Sequence, residues 1–459
     1  MKSRKIFLFC LILFSAVSWE ISAQGGQSKD RGKTGKYFGV EPPPATISVP
    51  PPNKAPSTDS EGTKAPDENT EGTDEIDETS QANEEQIVVP QESPLQIFQR
   101  DFEAADTSTK IDILTSAAAN RELSDHIGAI NDLALQFALQ NSETNDPQIR
   151  QLISTAALSA VANGTGENID TLWQVFSAYD DSSVRMEILA LISRPEKFNK
   201  SSLDKLDSFL SAQSDLYRSG KNIDFLLVSS CIDIIARLGD SSSFPALFSV
   251  ITSGYPEVIA FEAAGALDMI NGNYRQFLVD VLTRNTPSEK AQAFALGMNS
   301  NRLTVADKGQ LAEVALQQCL LPGVEGNSTL SSLRYSAVLV LTNIRWTRAD
   351  ELAVNHYYRV RTDYQQGLAD KDRLLEAIAC LSVIGNSRAA LALALHLGLI
   401  NSQTERNGIF DENITLAIIT ALGRIGDKSA FDYLTYVNSL NYTAQIKAAA
   451  REALGRLRW

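Results

Sequence analysis

From Ser93-Pro94 to the C-terminus, apolar residues recur three and four positions apart, strict alternation is absent, and breakers fall every 10–20 residues. That spacing gathers apolar side chains on one face of a helix, so the pattern predicts a long succession of amphipathic helices. Asp146-Pro147 reads as an N-cap followed by proline at the first helical position, and predicts a helix running to about Val161. Similar starts stand at Tyr255-Pro256, Thr286-Pro287-Ser288 and Asp411-Glu412-Asn413. Glycine marks several stops, at Gly239, Gly385 and Gly426, where a left-handed C-terminal cap suits a residue without Cβ.

The pattern repeats. Arg237-Leu238-Gly239-Asp240, through Phe244 to Leu247, lines up with Arg424-Ile425-Gly426-Asp427, through Phe431 to Leu434. At the C-terminus, Ile414, Ala417, Ala421, Leu422, Gly423, Arg424 and Ile425 recur 32 residues later as Ile446, Ala449, Ala453, Leu454, Gly455, Arg456 and Leu457. Ile384-Gly385-Asn386 and Met269-Ile270-Asn271 are degenerate copies of the same turn, and Asp146 to Arg150 and Asp181 to Arg185 are copies of the turn before it. A unit of this kind ends one helix at Leu-Gly-Asp, reverses, and lays the next helix antiparallel. Its apolar faces are buried only by stacking the next pair.

These residues resemble short HEAT repeats of the bacterial type: an Asp, Val/Ile-Arg, an Ala-rich helix, Leu-Gly-Asp, then an amphipathic helix. Residues 420–457 match well, 223–270 fairly and 95–222 loosely. The resemblance implies an all-α fold, an α-solenoid of antiparallel helix pairs over residues 94–459, and a binding rather than catalytic style of function. Tetratricopeptide arrays need a steadier period near 34, whereas the spacing here wanders between about 32 and 41.

The first 93 residues have another texture. Lys2, Arg4 and Lys5, then the apolar run Ile6 to Trp19, then Ile21-Ser22-Ala23 fit a secretory signal peptide over residues 1–23, cleaved after Ala23. The run of 14 residues is short of the roughly 20 that span a bilayer, so no stable membrane span is expected after cleavage. Residues 24–93 carry the triplets Pro42-Pro43-Pro44 and Pro50-Pro51-Pro52 and an acidic stretch from Asp59 to Glu92 with hardly any aliphatics. Such a segment buries too little apolar area to offset its ordering entropy and reads as a disordered Pro-rich and acidic tail.

Charge sharpens this division. Residues 1–52 sum to +4 and residues 53–93 to −10, which against the total of −15 leaves −9 for the helical part. Nucleic acid is therefore not an expected partner, since phosphate binding needs clustered Lys and Arg. Beyond Cys10, three scattered cysteines, Cys231, Cys319 and Cys380, sit in apolar helical patterns and read as buried thiols rather than a disulfide framework. His126, His356 and His396 stand far apart, without His-Glu-x-x-His, Cys-x-x-Cys or Gly-x-Ser-x-Gly, so no metal, cofactor or catalytic residue is assigned. Gly32-Lys33-Thr34 lacks the spacing and the strand and helix of a phosphate-binding loop.

One segment stands apart. Arg345, Trp346, Arg348, Tyr357, Tyr358, Arg359, Arg361 and Tyr364, with His356 among them, form the densest aromatic and basic mixture in a chain with 7% aromatics. Trp, Tyr and Arg are the residues enriched at interface hot spots, so these eight are the candidate partner-binding residues. The competing reading makes the rings core and the arginines solvated. A polar stretch from Asn401 to Glu412 reads as a second candidate, a loop projecting from the array. The expected function is an exported, periplasmic or secreted, non-enzymatic scaffold or adaptor for another protein of the envelope or exterior. The alternative is an enzyme or enzyme subunit acting on envelope polymer.

Overall fold

The computed structural model describes residues 92–459, apart from residue 145 and residues 164–167; the signal-peptide and tail assignments lie outside the described residues. The described chain is all-helical, with twenty α-helices and one isolated β-bridge, between Asp427 and Arg458. In order, the first ten are α1 (Pro94–Ala104), α2 (Thr107–Ala119), α3 (Ile127–Gln140), α4 (Pro147–Asn163), α5 (Ile169–Ala178), α6 (Ser182–Ile192), α7 (Lys200–Arg218), α8 (Phe225–Leu238), α9 (Phe244–Thr252) and α10 (Glu257–Met269). They continue as α11 (Tyr274–Arg284), α12 (Pro287–Asn299), α13 (Val305–Cys319), α14 (Ser328–Ile344), α15 (Asp350–Gln365), α16 (Lys371–Ile384), α17 (Ser387–Asn407), α18 (Glu412–Ile425), α19 (Phe431–Val437) and α20 (Ala444–Gly455).

Helix starts follow their caps. The carboxylates of Asp106, Asp181, Asp224, Asp370 and Asp411 each accept a backbone N–H of the helix they precede, satisfying donors that have no partner in the first turn. Thr286 and Glu289 close a capping box around Pro287, and α4 begins at Pro147 with Asp146 Oδ1 accepting from Gln148 N at 2.9 Å.

Packing follows the chain. In one row α2 lies on α4, α4 on α6, α6 on α8 and α8 on α10; later α12 lies on α14, then α16, α18 and α20 in turn. In a second row α11 lies on α13, followed by α15, α17 and α19. Rings make further joints, Phe176 meeting Phe209 between α5 and α7, and Phe244 and Phe248 meeting Phe277 between α9 and α11. Small residues set close approaches. A Cβ on Gly423 of α18 would stand 2.9 Å from Ala453 Cα of α20, the helix whose sequence matches that of α18 at a spacing of 32.

The repeated turn is visible atom by atom. After α8 and after α18 an aspartate caps one 3-10 turn, Asp240 accepting from Ser242 N at 2.8 Å and Asp427 from Ser429 N at 2.9 Å; α9 and α19 follow at Phe244 and Phe431. Two expectations are corrected here. Only Gly426 of the three stop glycines is left-handed (φ 73°), whereas Gly239 and Gly385 have φ −78° and −75°. Their reason is steric: a Cβ at Gly239 would lie 2.5 Å from the Ile235 carbonyl oxygen, and Gly385 meets Leu381 in the same way. Residues 401–407 are not a loop but the last turns of α17. Asn401 and Thr404 are buried there, with Asn401 Nδ2 donating to Tyr433 O (3.1 Å) and Tyr442 O–H donating to Asn401 Oδ1 (2.9 Å), so polar sequence serves an inter-helix network.

Candidate functional site

The eight residues singled out in the sequence occupy the α14–α15 turn and α15 itself, where they divide into three groups. Arg345 closes α14 in the left-handed conformation (φ 55°), the one non-glycine with positive φ among the described residues. Its neighbour's N–H reaches back from Trp346 to Leu341 O at 2.9 Å, which completes a Schellman-type cap. Trp346 is half-buried: its Nε1 donates to Glu313 Oε2 at 2.8 Å, and Arg348 Nε donates to the same oxygen at 3.1 Å. The Arg348 guanidinium stands 5.5 Å from the indole centroid. This group pins the turn to α13.

The second group straddles α15 and α17. Tyr357 has no exposed surface, and its hydroxyl lies 2.5 Å from His396 Nδ1, so the ring belongs to the core and cannot touch a docked partner. Burial holds the His396 imidazole down at about 4 and pushes the Tyr357 phenol above its ordinary range. Tyr358, the next residue, is 39% exposed, with the Arg361 guanidinium 5.5 Å from its ring centroid. Arg361 itself is half-buried, with its Nε enclosed and its charge bearing on Tyr357 and His396, so Tyr358 is the exposed member of the pair.

The third group is an ion network. Asp363 is buried between two arginines: Arg334 Nη2 donates to its Oδ2 at 3.1 Å and Arg359 Nε to its Oδ1 at 3.1 Å. Arg359 Nη1 also donates to Glu325 Oε1 at 3.1 Å. Tyr364 packs half-buried against the core. The structure thus joins Tyr358 with Arg361, and Trp346 with Arg348, but gives Tyr357 to the interior and Arg359 to the network.

Sequence reasoning missed apolar residues beside this site. Leu391, Leu395 and Leu399 on α17 lie at i, i+4 and i+8, each about half exposed, on the helix that Tyr357 bonds through His396. The stretch from Ala389 to Ile400 is apolar nearly all round, which reads as wholly buried and hides the outward ridge. Leu226 of α8 with Val258 and Phe261 of α10 are likewise exposed, although Ile259 and Ala263 mark the inward face of α10 and leave those positions outside it.

No protein-family model matches the chain, and no curated protein matches it. The crystal structure of an engineered protein aligns with 78% of this chain and 98% of its own length, at 16% identity and a TM-score of 0.30, a likeness too slight to bear on fold or function.

Proposed function

We propose that residues 94–459 form a HEAT-like α-solenoid, and that the protein is an exported, non-enzymatic scaffold or adaptor. Its partner is another protein of the cell envelope or exterior, held where α15 and α17 lie side by side. The stacked-pair reading is supported by contacts that run between helices one and two places apart, and by the capped turn that recurs after α8 and α18. One observation carries the docking reading: α15 and α17 turn Tyr358 and the Leu391–Leu395–Leu399 ridge away from a core that has Leu393, Leu397 and Val360 to fill it. An exposed aromatic ring and an aliphatic row suit a protein surface with apolar groups.

The chain lacking residues 1–23, immobilised, should retain one envelope protein in stoichiometric amount. The Tyr358→Ser/Leu395→Ser variant should lose it while melting like the wild type. Equal retention by both would overturn the assignment of the surface. Export carries its own check, a mature N-terminus at Gln24 by mass spectrometry; an N-terminus at Met1 would contradict it.

A further inference from the structure

A cleft of about 430 Å³ opens between the C-terminal end of α13, the loop of residues 320–327 and one stripe of α15, formed by Asn355, Arg359 and Asp363 at i, i+4 and i+8. That volume is in the range of small-ligand sites. Leu320, Leu321, Val324 and Leu368 supply apolar wall, and Arg334 and Arg359 stand in it together. Tyr358, Leu391, Leu395 and Leu399 do not line the cleft, so it is tested by variants other than those of the docking surface.

The charges of the cleft are unequal in their fixity. Asp363 is buried and holds both arginines, whereas Glu325 is half exposed, on a loop between Gly323 and Gly326, and has Arg359 as its arginine partner beside backbone N–H groups of its own loop. Arg334 is only 6% exposed, and its bonds run through Nη2, to Asp363 and to the Tyr335 hydroxyl, while Nε is buried without an acceptor. A guanidinium so deeply placed and so incompletely paired is costly unless something completes its shell. Two fixed positive groups thus face one fixed carboxylate, and the second carboxylate is a surface side chain whose exposed pairing contributes little.

We propose that this cleft binds an aliphatic monocarboxylate, with Glu325 standing in for the ligand's carboxylate when the cleft is free. The incoming carboxylate displaces Glu325 from Arg359 and presents its second oxygen toward Arg334, which preserves the charge balance of the site. Its aliphatic body lies along Leu320, Val324 and Leu368. One positively charged pair and one apolar wall fit either the chain-terminal residue of a polypeptide or a free aliphatic acid.

The test is fluorescence anisotropy on the full chain lacking residues 1–23, with an N-terminally labelled Gly-Ser-Leu-Leu peptide as probe, as the free acid and as the C-terminal amide. The free acid should bind at least tenfold more tightly than the amide. Glu325→Gln should strengthen binding several-fold by removing the competing carboxylate, and Arg359→Gln should weaken it tenfold or more with an unchanged circular dichroism spectrum. Hexanoate displacing the peptide at equal concentration assigns the free acid as source, and a need for far more assigns the chain terminus; either supports the class. Equal binding of acid and amide, weaker binding by Glu325→Gln, or no binding at millimolar protein would overturn it.

Discussion

The indole of Trp346 rests on Gly309: a Cβ at that glycine would stand 2.6 Å from Cε3 of the ring, and Glu313, one turn along α13, accepts the indole N–H. The bare glycine and the carboxylate lie four residues apart on one face of the helix and together seat the ring. Gly309→Ala should therefore destabilise the protein, by up to about 2 kcal/mol net, because overpacking costs ~1–3 kcal/mol against the ~1 kcal/mol that alanine contributes to a helix. Urea unfolding measures the sign. A gain in stability would mean that the ring moves freely off α13.

Two of the left-handed helix ends, at Arg345 and Gly426, should respond oppositely. At Arg345 a side chain occupies a conformation that favours glycine, so Arg345→Gly should stabilise by about 1 kcal/mol. At Gly426, where a Cβ would also come within 3.0 Å of Arg456 O, Gly426→Val should cost at least ~1–2 kcal/mol. Melting curves of the two variants against the wild type give both signs in one experiment.

Two buried imidazoles predict acid lability. Burial, aided by the charges of Arg334 and Arg373, holds His356 near 3, and both of its ring nitrogens lack a hydrogen-bond partner; burial holds His396 at about 4. Folded values below the ordinary 6.5 mean that the unfolded chain binds protons first as pH falls. Their contribution is complete above about 6.5 and is lost progressively as pH falls, toward 4 for His396 and toward 3 for His356. Stability measured at pH 7.5 and pH 4.5 should differ less in His356→Phe than in the wild type. An equal difference would show that His356 takes up its proton without cost.

Asp207 works in the other direction. Burial raises its carboxyl to about 6, although Ser243 donates to its Oδ2 at 2.8 Å, and Oδ1 is buried without a partner. With the folded value above the ordinary 3.8, the native state holds a proton that the unfolded chain has lost, so this group destabilises above pH 6 and ceases to do so as pH falls toward 3.8. Asp207→Asn should raise stability at pH 7.5 by on the order of 1–2 kcal/mol, allowing for solvent screening. It should change little at pH 4, and thermal unfolding at both pH values checks the pair.

The helical character of residues 94–459 was legible because its signals are local: apolar spacing, Asp and Thr caps, and the Gly-Asp turn that returns after α8 and α18. The stop glycines show the limit of such signals. Gly239 and Gly426 share a motif, yet one is required by sterics against a carbonyl and the other by positive φ. Asn401 and Thr404 misled for a related reason, since their polarity is satisfied by Tyr433 and Tyr442, some 30–40 residues away in sequence. In the candidate site, the interior place of Tyr357 was available from the i, i+4, i+7 series Ala353, Tyr357 and Val360. The separation of Arg359 from Arg361 was not, because it depends on Asp363, Arg334 and the loop carrying Glu325 meeting in space.

A partner protein lying against α15 and α17 should be within reach of a photo-crosslinking residue in the intact envelope. Such a residue is placed at Tyr358 or at Leu395, with Val258 of α10 as the exposed control. The expected result is one crosslinked species of the same mass from Tyr358 and from Leu395, with none from Val258. Crosslinks of equal yield at all three positions, or none at Tyr358 and Leu395, would remove the partner from this surface.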